Sequence, residues 1–318
     1  MGLDQVEAAA RHGLRAALDD LEPGARLTVG LSGGSDSLAL TVAAAFVARA
    51  QGFDLEAVVI DHGLQDGSAD VAATAAEQAR SLGVAAEVVP VVVGADGGPE
   101  GAARTARLDA LTSRGADAVL LGHTLDDQAE TVLLGLGRGS GPRSISGMSV
   151  RSGVLRRPFL SLTRTDTRHI CSLHGLSWWD DPHNADPRFR RSRLRTEVLP
   201  LLEDVLGRGV ARALARTADQ VRTDADLLDS LAADAHTVVV AELTTLHPAL
   251  RSRILRRAAL DAGAAADELA ASHIDELVRL VVDYRGQQRV ELPGGVSAFR
   301  VEGRIAFALT PIPDSPES

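Results

Sequence analysis

The chain has 318 residues, 45% of them hydrophobic, with a formal net charge of −10, enough apolar material for one large or two modest domains that fold without disulfide or metal staples. All 33 basic residues are arginine, and without lysine a Walker-type phosphate loop, Schiff-base or pyridoxal catalysis and a lysyl-adenylate intermediate are excluded, because each needs a lysine amine. The single cysteine, Cys171, excludes an intramolecular disulfide, a four-thiolate metal or cluster site and a catalytic cysteine pair, and fits a reducing compartment.

The opening stretch alternates charged and apolar residues at helical spacing and holds no uninterrupted apolar run. Neither a signal peptide nor a membrane span is expected, and the expected location is the cytoplasm. Four β-rich runs follow, Arg26–Leu31, Leu55–Ile60, Ala86–Val93 and Asp117–Leu121, each succeeded by a segment of helical periodicity. Strands alternating with helices predict an α/β fold, a Rossmann-like parallel sheet covered on both faces. Ligands in such folds lie beyond the carboxyl ends of the strands.

Directly after the first strand comes Ser32-Gly33-Gly34-Ser35-Asp36-Ser37. Its glycines allow close backbone approach to a phosphate, its serines add hydroxyl donors, and the amides opening the next helix offer positive partial charge. Asp36 beside phosphates is repulsive unless a cation intervenes, and Mg2+ supplies that cation. Asp61-His62-Gly63-Leu64 follows the second strand, where the adenosine end of a nucleotide would lie, although a structural turn accounts for it equally well. After the fourth strand stands Gly122-His123-Thr124-Leu125-Asp126-Asp127-Gln128-Ala129-Glu130-Thr131. His123 and Asp127, four residues apart, share a face if the helix includes both. They can hold a metal or move a proton. Acids at a helix N-terminus also suit its dipole, which would account for Asp126 and Glu130.

Between Arg138 and Arg216 there are 15 arginines against 7 acids, a local +8 in an otherwise acidic chain. Local potential steers a polyanion, so this segment is a candidate for nucleic-acid or nucleotide contact. Within it a helix is expected over Arg164–His174, with Cys171 inert inside. Trp178 and Trp179, adjacent on an extended segment, face opposite ways, so at most one is available to stack on a base. Arg191 and Arg195 lie one helical turn apart and can offer guanidinium forks to phosphates. From Leu206 onward the apolar spacing predicts one long helix, then helices over Leu246–Leu260 and His273–Val282, and short strands at Gln288–Pro293, Ser297–Val301 and Arg304–Leu309. The expected division is residues 1–205 for the α/β domain that carries the motifs and 206–318 for a smaller, mainly α-helical domain.

The Ser32–Ser37 loop resembles the pyrophosphate-binding loop of the N-type ATP pyrophosphatases, and the Gly122–Thr131 string resembles the GH-x-x-x-D-x-x-E-T signature of the tRNA(Ile)-lysidine synthetase family. Glu100 with Arg104 and Arg107, Arg138–Gly141 with Gly147-Met148, Arg157–Leu160, Asp180–Asn184 and Arg191–Arg195 with Leu199-Pro200 carry the same resemblance. Two positions depart from the pattern: Leu108 stands where tyrosine is usual and Ser192 where asparagine is usual. The motifs span Ser32 to Pro200, and the chain resembles the family's short form, which lacks a third domain.

The resemblance implies that ATP activates the wobble cytidine of tRNA(Ile) bearing a CAU anticodon, and that free L-lysine then displaces AMP to form lysidine. It implies that Ser32, Gly33, Gly34, Ser35, Asp36, Ser37, His62 and Arg191 bind the nucleotide. Asp36, His123 and Asp127 would be catalytic, Asp36 and Asp127 would share Mg2+, Arg104, Arg107, Arg191 and Arg195 would meet tRNA, and residues 1–205 would form the catalytic domain with 206–318 contacting tRNA. A homodimer is an admissible assembly. The competing readings are an enzyme of the same superfamily adenylating another tRNA base and a non-catalytic nucleotide-binding module. Sulfur-transferring relatives rely on cysteine pairs or a cluster, which one cysteine does not provide.

Overall fold

The computed structural model describes residues 4–61, 63, 67–91, 98–139, 141–181, 186–235, 237–266, 268–286 and 289–309, without the side chains of 98–104. The chain forms two compact units, Met1–Leu133 with Gly147–Arg216, and Leu134–Ser146 with Thr217–Ser318.

The first unit is built on a six-stranded sheet of β1 (Arg26–Leu31), β2 (Asp54–Asp61), β3 (Ala85–Pro90), β4 (Ala118–Leu120), β5 (Arg151–Ser152) and β6 (Leu155–Arg156). Their order is β3-β2-β1-β4-β6-β5, parallel except for the β5 edge. All four predicted strands are present. Alternation along the strands sends Leu27, Val29, Leu31, Ala57, Val59 and Leu120 to one face and Val58, Val119 and Leu121 to the other. The first face is covered by α1 (Gln5–Ala17), α2 (Ser35–Gln51), α3 (Ser68–Ser81) and α7 (Arg164–Leu173), and the second by α4 (Gly98–Thr112) through Leu108 and Leu111. Leu14, Leu38 and Leu40 are fully buried, each contributing about 1.5–3 kcal/mol relative to exposure.

Local sequence sets the helix starts that matter to the cleft. Asp4 caps α1 by accepting from the amides of Val6 and Glu7. Thr163 and Asp166 form a capping box that begins α7 at Arg164. Helix α5 (Leu125–Arg138) is opened by Thr124, whose amide and hydroxyl both donate to Asp127 Oδ2 (2.8 and 3.0 Å). His123 therefore precedes the helix instead of sharing a helical face with Asp127.

The segment after Phe189 is helical, as expected, but not uniformly so. It consists of α8 (Arg190–Arg193), a π-helical turn at Leu194–Val198 and α9 (Leu199–Leu206). Pro200 has no amide to give the carbonyl four residues back, and the helix widens there. Leu206 ends α9 and Gly207 breaks the chain, so the long helix α10 starts at Val210 and runs to Ala235, later than the apolar spacing indicated.

The second unit contains α6 (Pro142–Ile145), most of α10, α11 (Val240–Thr245), α12 (Pro248–Asp261) and α13 (Ala271–Val282). An antiparallel sheet is made of β7 (Val290–Leu292), β8 (Val296–Val301) and β9 (Arg304–Leu309). Leu243, Leu255, Leu277, Leu280, Val296 and Ala298 form its core. Buried Arg251 donates to the carbonyls of Leu243, Thr244 and Leu246, closing the end of α11. Arg143 pairs with Asp226 and Asp229 on α10, which places Leu134–Ser146 in this unit although sequence order assigns it to the first. Among the described residues no helix is long and apolar enough to cross a membrane.

Candidate active site

The carboxyl ends of β1, β2 and β4 open onto a cleft of about 350 Å³. It is lined by Ser32, Gly34, Asp36, Ser37, His123 and Asp127, with Arg107, Arg164, Trp179, Asp181 and Arg195 around them. Residues up to 163 positions apart in the sequence thus meet where a parallel sheet presents a ligand site.

The loop is held from within. Ser37 Oγ accepts from the Ser32 amide (3.1 Å) and donates to the Gly34 carbonyl (3.0 Å). Gly33 adopts φ +81°, which glycine alone takes without strain, and its carbonyl accepts from the Trp179 amide (3.0 Å). Gly34 caps α2 without any side-chain hydrogen bond, which leaves the first amides of α2 available to an anion. A Cβ on Gly122 would stand 3.0 Å from the backbone of Asp36 and Ser37, so the end of β4 fits directly under the loop. Ser35 turns away from the cleft: it is buried, with its hydroxyl toward Asp36 and Thr167.

Asp36 and Asp127 face each other across Arg164. Its Nε donates to Asp36 Oδ2 (3.3 Å), its Nη2 donates to Asp127 Oδ1 (3.0 Å), and its backbone amide donates to Asp126 Oδ2 (2.8 Å). Asp36 Oδ1 lies 2.5 Å from the Thr167 hydroxyl. Burial raises the Asp36 carboxyl above the ordinary value, only partly opposed by Arg164 and Thr167. Burial acts on Asp127 in the same sense, but Arg164, the Thr124 hydrogen bonds and nearby His123 outweigh it and hold this carboxyl low. Asp127 is thus the more acidic of the two carboxyls.

A second ion pair closes the cleft. Glu130, fully buried, accepts from Arg195 Nε (2.8 Å), and Arg191 Nη1 approaches its other oxygen at 3.7 Å. Burial still raises the Glu130 carboxyl. Arg195 also reaches within 3.7 Å of Asp127 and lines the cleft, whereas Arg191 is directed at Glu130. Glu197 pairs with Arg193.

The cleft therefore brings together Ser32, Gly34, Asp36, Ser37, His123, Asp127, Arg107 and Arg195 from the residues expected by sequence. His62 and the side chain of Arg104 lie outside the described residues. Of the two tryptophans, Trp178 packs against the core and Trp179 lines the cleft. Sequence reasoning missed Arg164 and Thr167, whose only local sign is the capping box that starts their helix. Cys171 is buried, donates to the Ser35 carbonyl (3.3 Å), and has its thiol pushed up to about 12 by burial and by Asp36.

The donor set sets limits on a metal. Among the described residues no cluster of three or more His, Cys, Asp or Glu side chains forms a metal site. The oxygens of Asp36 and Asp127 that face each other are taken by one guanidinium. These residues fit an ion that arrives with phosphate ligands and docks on Asp36 from the cleft. They do not fit an ion bridging both carboxylates while Arg164 is in place.

Fold and cleft define a PP-loop protein: a parallel sheet whose first strand delivers a lysine-free phosphate loop facing a strand-end histidine and carboxylate. The PP-loop domain family matches residues 6–202, and the TilS substrate binding domain matches residues 239–305. The tRNA(Ile)-lysidine synthase of Thermobifida fusca is 50% identical over 94% of this chain and 96% of its own length. That of Streptomyces coelicolor is 53% identical over 88% and 84%, and that of Mycobacterium tuberculosis 51% identical over 94% of each. Among solved structures, the U34-tRNA thiolase NcsA of Methanococcus maripaludis shares the fold, with a TM-score of 0.57 and 17% identity over 68% of this chain and 79% of its own. The chain belongs to the tRNA(Ile)-lysidine synthase family.

Proposed function

We propose that this protein ligates free L-lysine to carbon 2 of the wobble cytidine of tRNA(Ile) with a CAU anticodon, through an adenylated tRNA intermediate, releasing pyrophosphate and AMP. The observation that carries this reading is the cleft itself, in which the phosphate loop and the His123–Asp127 pair face one enclosed space within a chain of this family.

The amides of the Ser32–Ser37 loop and of the first turn of α2 would hold the leaving pyrophosphate, where charge accumulates as the cytosine carbonyl oxygen attacks the α-phosphate. Val58, Val59, Ile60, Val71 and Ala72 give the cleft an apolar side that suits the adenosine end, a role assigned also to His62 from its place in the sequence after β2. Mg2+ entering with ATP would neutralise phosphate charge beside Asp36. The ε-amine of lysine is nearly all protonated at neutral pH, with a pKa of about 10.4, and must lose a proton to attack carbon 2. Asp127, held ionised, would draw the ammonium in, and Asp127 or His123 would take the proton. Arg107 and Arg195, which line the cleft, and Arg104 and Arg191 nearby in sequence, would meet phosphates of tRNA or ATP. The cytoplasm, where ATP, lysine and tRNA coexist, is the location this reading requires. Cys171 is unsuited to sulfur transfer, being single, buried and held as the thiol.

The test is to incubate purified protein with ATP, lysine and a tRNA(Ile) transcript bearing CAU, measuring pyrophosphate and the mass of the wobble nucleoside. Lysine-dependent mass gain with tRNA-dependent pyrophosphate release is expected. Release without a modified nucleoside would point to another acceptor, and no release above the tRNA-free control would favour a nucleotide-binding module.

A further inference from the structure

We infer that Arg164 is a positioning residue that occupies the gap between Asp36 and Asp127 as a resident cation, setting the separation of the loop carboxylate and the α5 carboxylate and keeping a divalent ion from bridging them. The inference rests on the proposed function for its consequence in turnover, but its geometric content stands on the cleft alone.

Three features separate this contact from an incidental ion pair. One guanidinium engages both carboxylates, through Nε at 3.3 Å to Asp36 and Nη2 at 3.0 Å to Asp127. The remaining oxygens are fixed independently, Asp36 Oδ1 by the Thr167 hydroxyl at 2.5 Å and Asp127 Oδ2 by the amide and hydroxyl of Thr124. The arginine itself starts a helix whose origin is locked: the Thr163–Asp166 capping box defines the first turn, the Arg164 amide donates to Asp126 at 2.8 Å, and the Leu125 amide donates to the Leu162 carbonyl at 2.8 Å. Helix α7 also touches the loop directly, where Cys171 Sγ donates to the Ser35 carbonyl. Phosphate loop, α5 and α7 are thereby referenced to one side chain, about one-fifth of which is exposed, at 22%. A planar fork suits two carboxylates at once, which an ammonium does not. A cation standing between two anions excludes a second cation from the same place by charge and by volume.

The experiment compares wild type, Arg164→Gln and Arg164→Lys. Manganese alone is titrated into the nucleotide-free protein and followed by electron paramagnetic resonance, alongside tRNA-dependent pyrophosphate release. Loss of the resident charge in Arg164→Gln is expected to tighten Mn2+ binding about tenfold or more while lowering kcat about a hundredfold, with the KM for ATP within about threefold of wild type, because orientation and not ground-state binding is lost. Arg164→Lys keeps the charge but not the fork, so Mn2+ binding should stay as in wild type while kcat falls about tenfold. Thermal unfolding checks that each variant is folded, and Arg164→Lys carries the test if Arg164→Gln is not. Mn2+ binding unchanged in folded Arg164→Gln, or kcat unchanged in folded Arg164→Lys, would overturn the inference. The metal titration needs no tRNA or lysine, so failure of the proposed reaction leaves it readable.

Discussion

The two ends of the first unit's sheet carry similar charges and use them differently. At the amino ends of β1, β2 and β4 lies a depression of about 410 Å³ around Arg26, Glu56 and Arg114, larger than the cleft of about 350 Å³ at the carboxyl ends. There Arg114 binds Glu56 at 2.8 Å and Glu87 at 2.7 Å, and Glu56 accepts from Thr28. These carboxylates stand in contact with water, with 38% of the Glu56 side chain and 58% of that of Glu87 exposed. The Arg114 hydrogen bonds hold Glu56 below the usual glutamate range against little burial. At the carboxyl ends burial raises Asp36 and Glu130, whereas at Asp127 burial is overcome by Arg164, Thr124 and His123 and the carboxyl falls. Cavity size does not identify the site. What marks the cleft is a phosphate loop facing buried acids whose proton affinities shift in opposite directions, whereas the amino end holds exposed pairs.

Asp127→Asn tests that distinction most severely. The amide keeps an acceptor for Thr124 and nearly the same volume, so the fold should survive, while the charge that draws in the ammonium and balances Arg164 is lost. Single-turnover lysidine formation is expected to fall by about 10²–10⁴, the range for a lost proton acceptor. A loss under about tenfold would remove Asp127 from the chemistry and make its low proton affinity a structural by-product.

Arg195→Ala should cost stability in addition to any phosphate contact in the cleft. It strips the closest partner from a carboxylate with no exposed surface, and removing one half of a buried pair costs about 3–5 kcal/mol. The pH dependence has a definite sign. Glu130 is raised in the folded protein, so folding binds its proton more tightly than the unfolded chain does, and stability falls as pH rises through the folded value. Losing Arg195 should raise that value further, and the deficit in urea unfolding should shrink on acidification. The double variant Arg195→Ala with Glu130→Gln should recover part of the loss at neutral pH. A deficit independent of pH would mean that packing, not charge, is what Arg195 supplies.

The contrast between the ends also shows what sequence can carry. Strands β1 to β4, the loop and the His123–Asp127 string were legible because each is a local pattern, an apolar run or a short motif beside it. The metal-sharing role expected for Asp36 and Asp127 met an arginine 128 residues from one and 37 from the other, and no spacing within one segment reports such a meeting. Arg164 is one of 15 arginines between Arg138 and Arg216, distinguishable only once α7 is laid against the loop. The helix expected from Leu206 failed for a local reason, since Gly207 interrupts an apolar spacing that runs across it. Arg191 and Arg195 were placed on a helix correctly, but the π-turn and a buried Glu130 decide where they point.

The smallest effect belongs to the amino end. Glu56→Gln removes a lowered carboxylate, whose contribution is fully present above its unfolded value and lost as pH falls through the folded one. Solvent screening of so exposed a pair keeps the cost below about 1 kcal/mol. Urea unfolding at neutral pH should show that small deficit, and wild type and variant should converge as pH drops below the ordinary glutamate value of 4.5. Lysidine formation should be unchanged, because Arg114 and Glu56 lie at the opposite end of the strands from Asp36 and Asp127. A fall in turnover at full stability would show that the two ends are coupled through the sheet, and the division between a stabilising end and a reacting end would then fail.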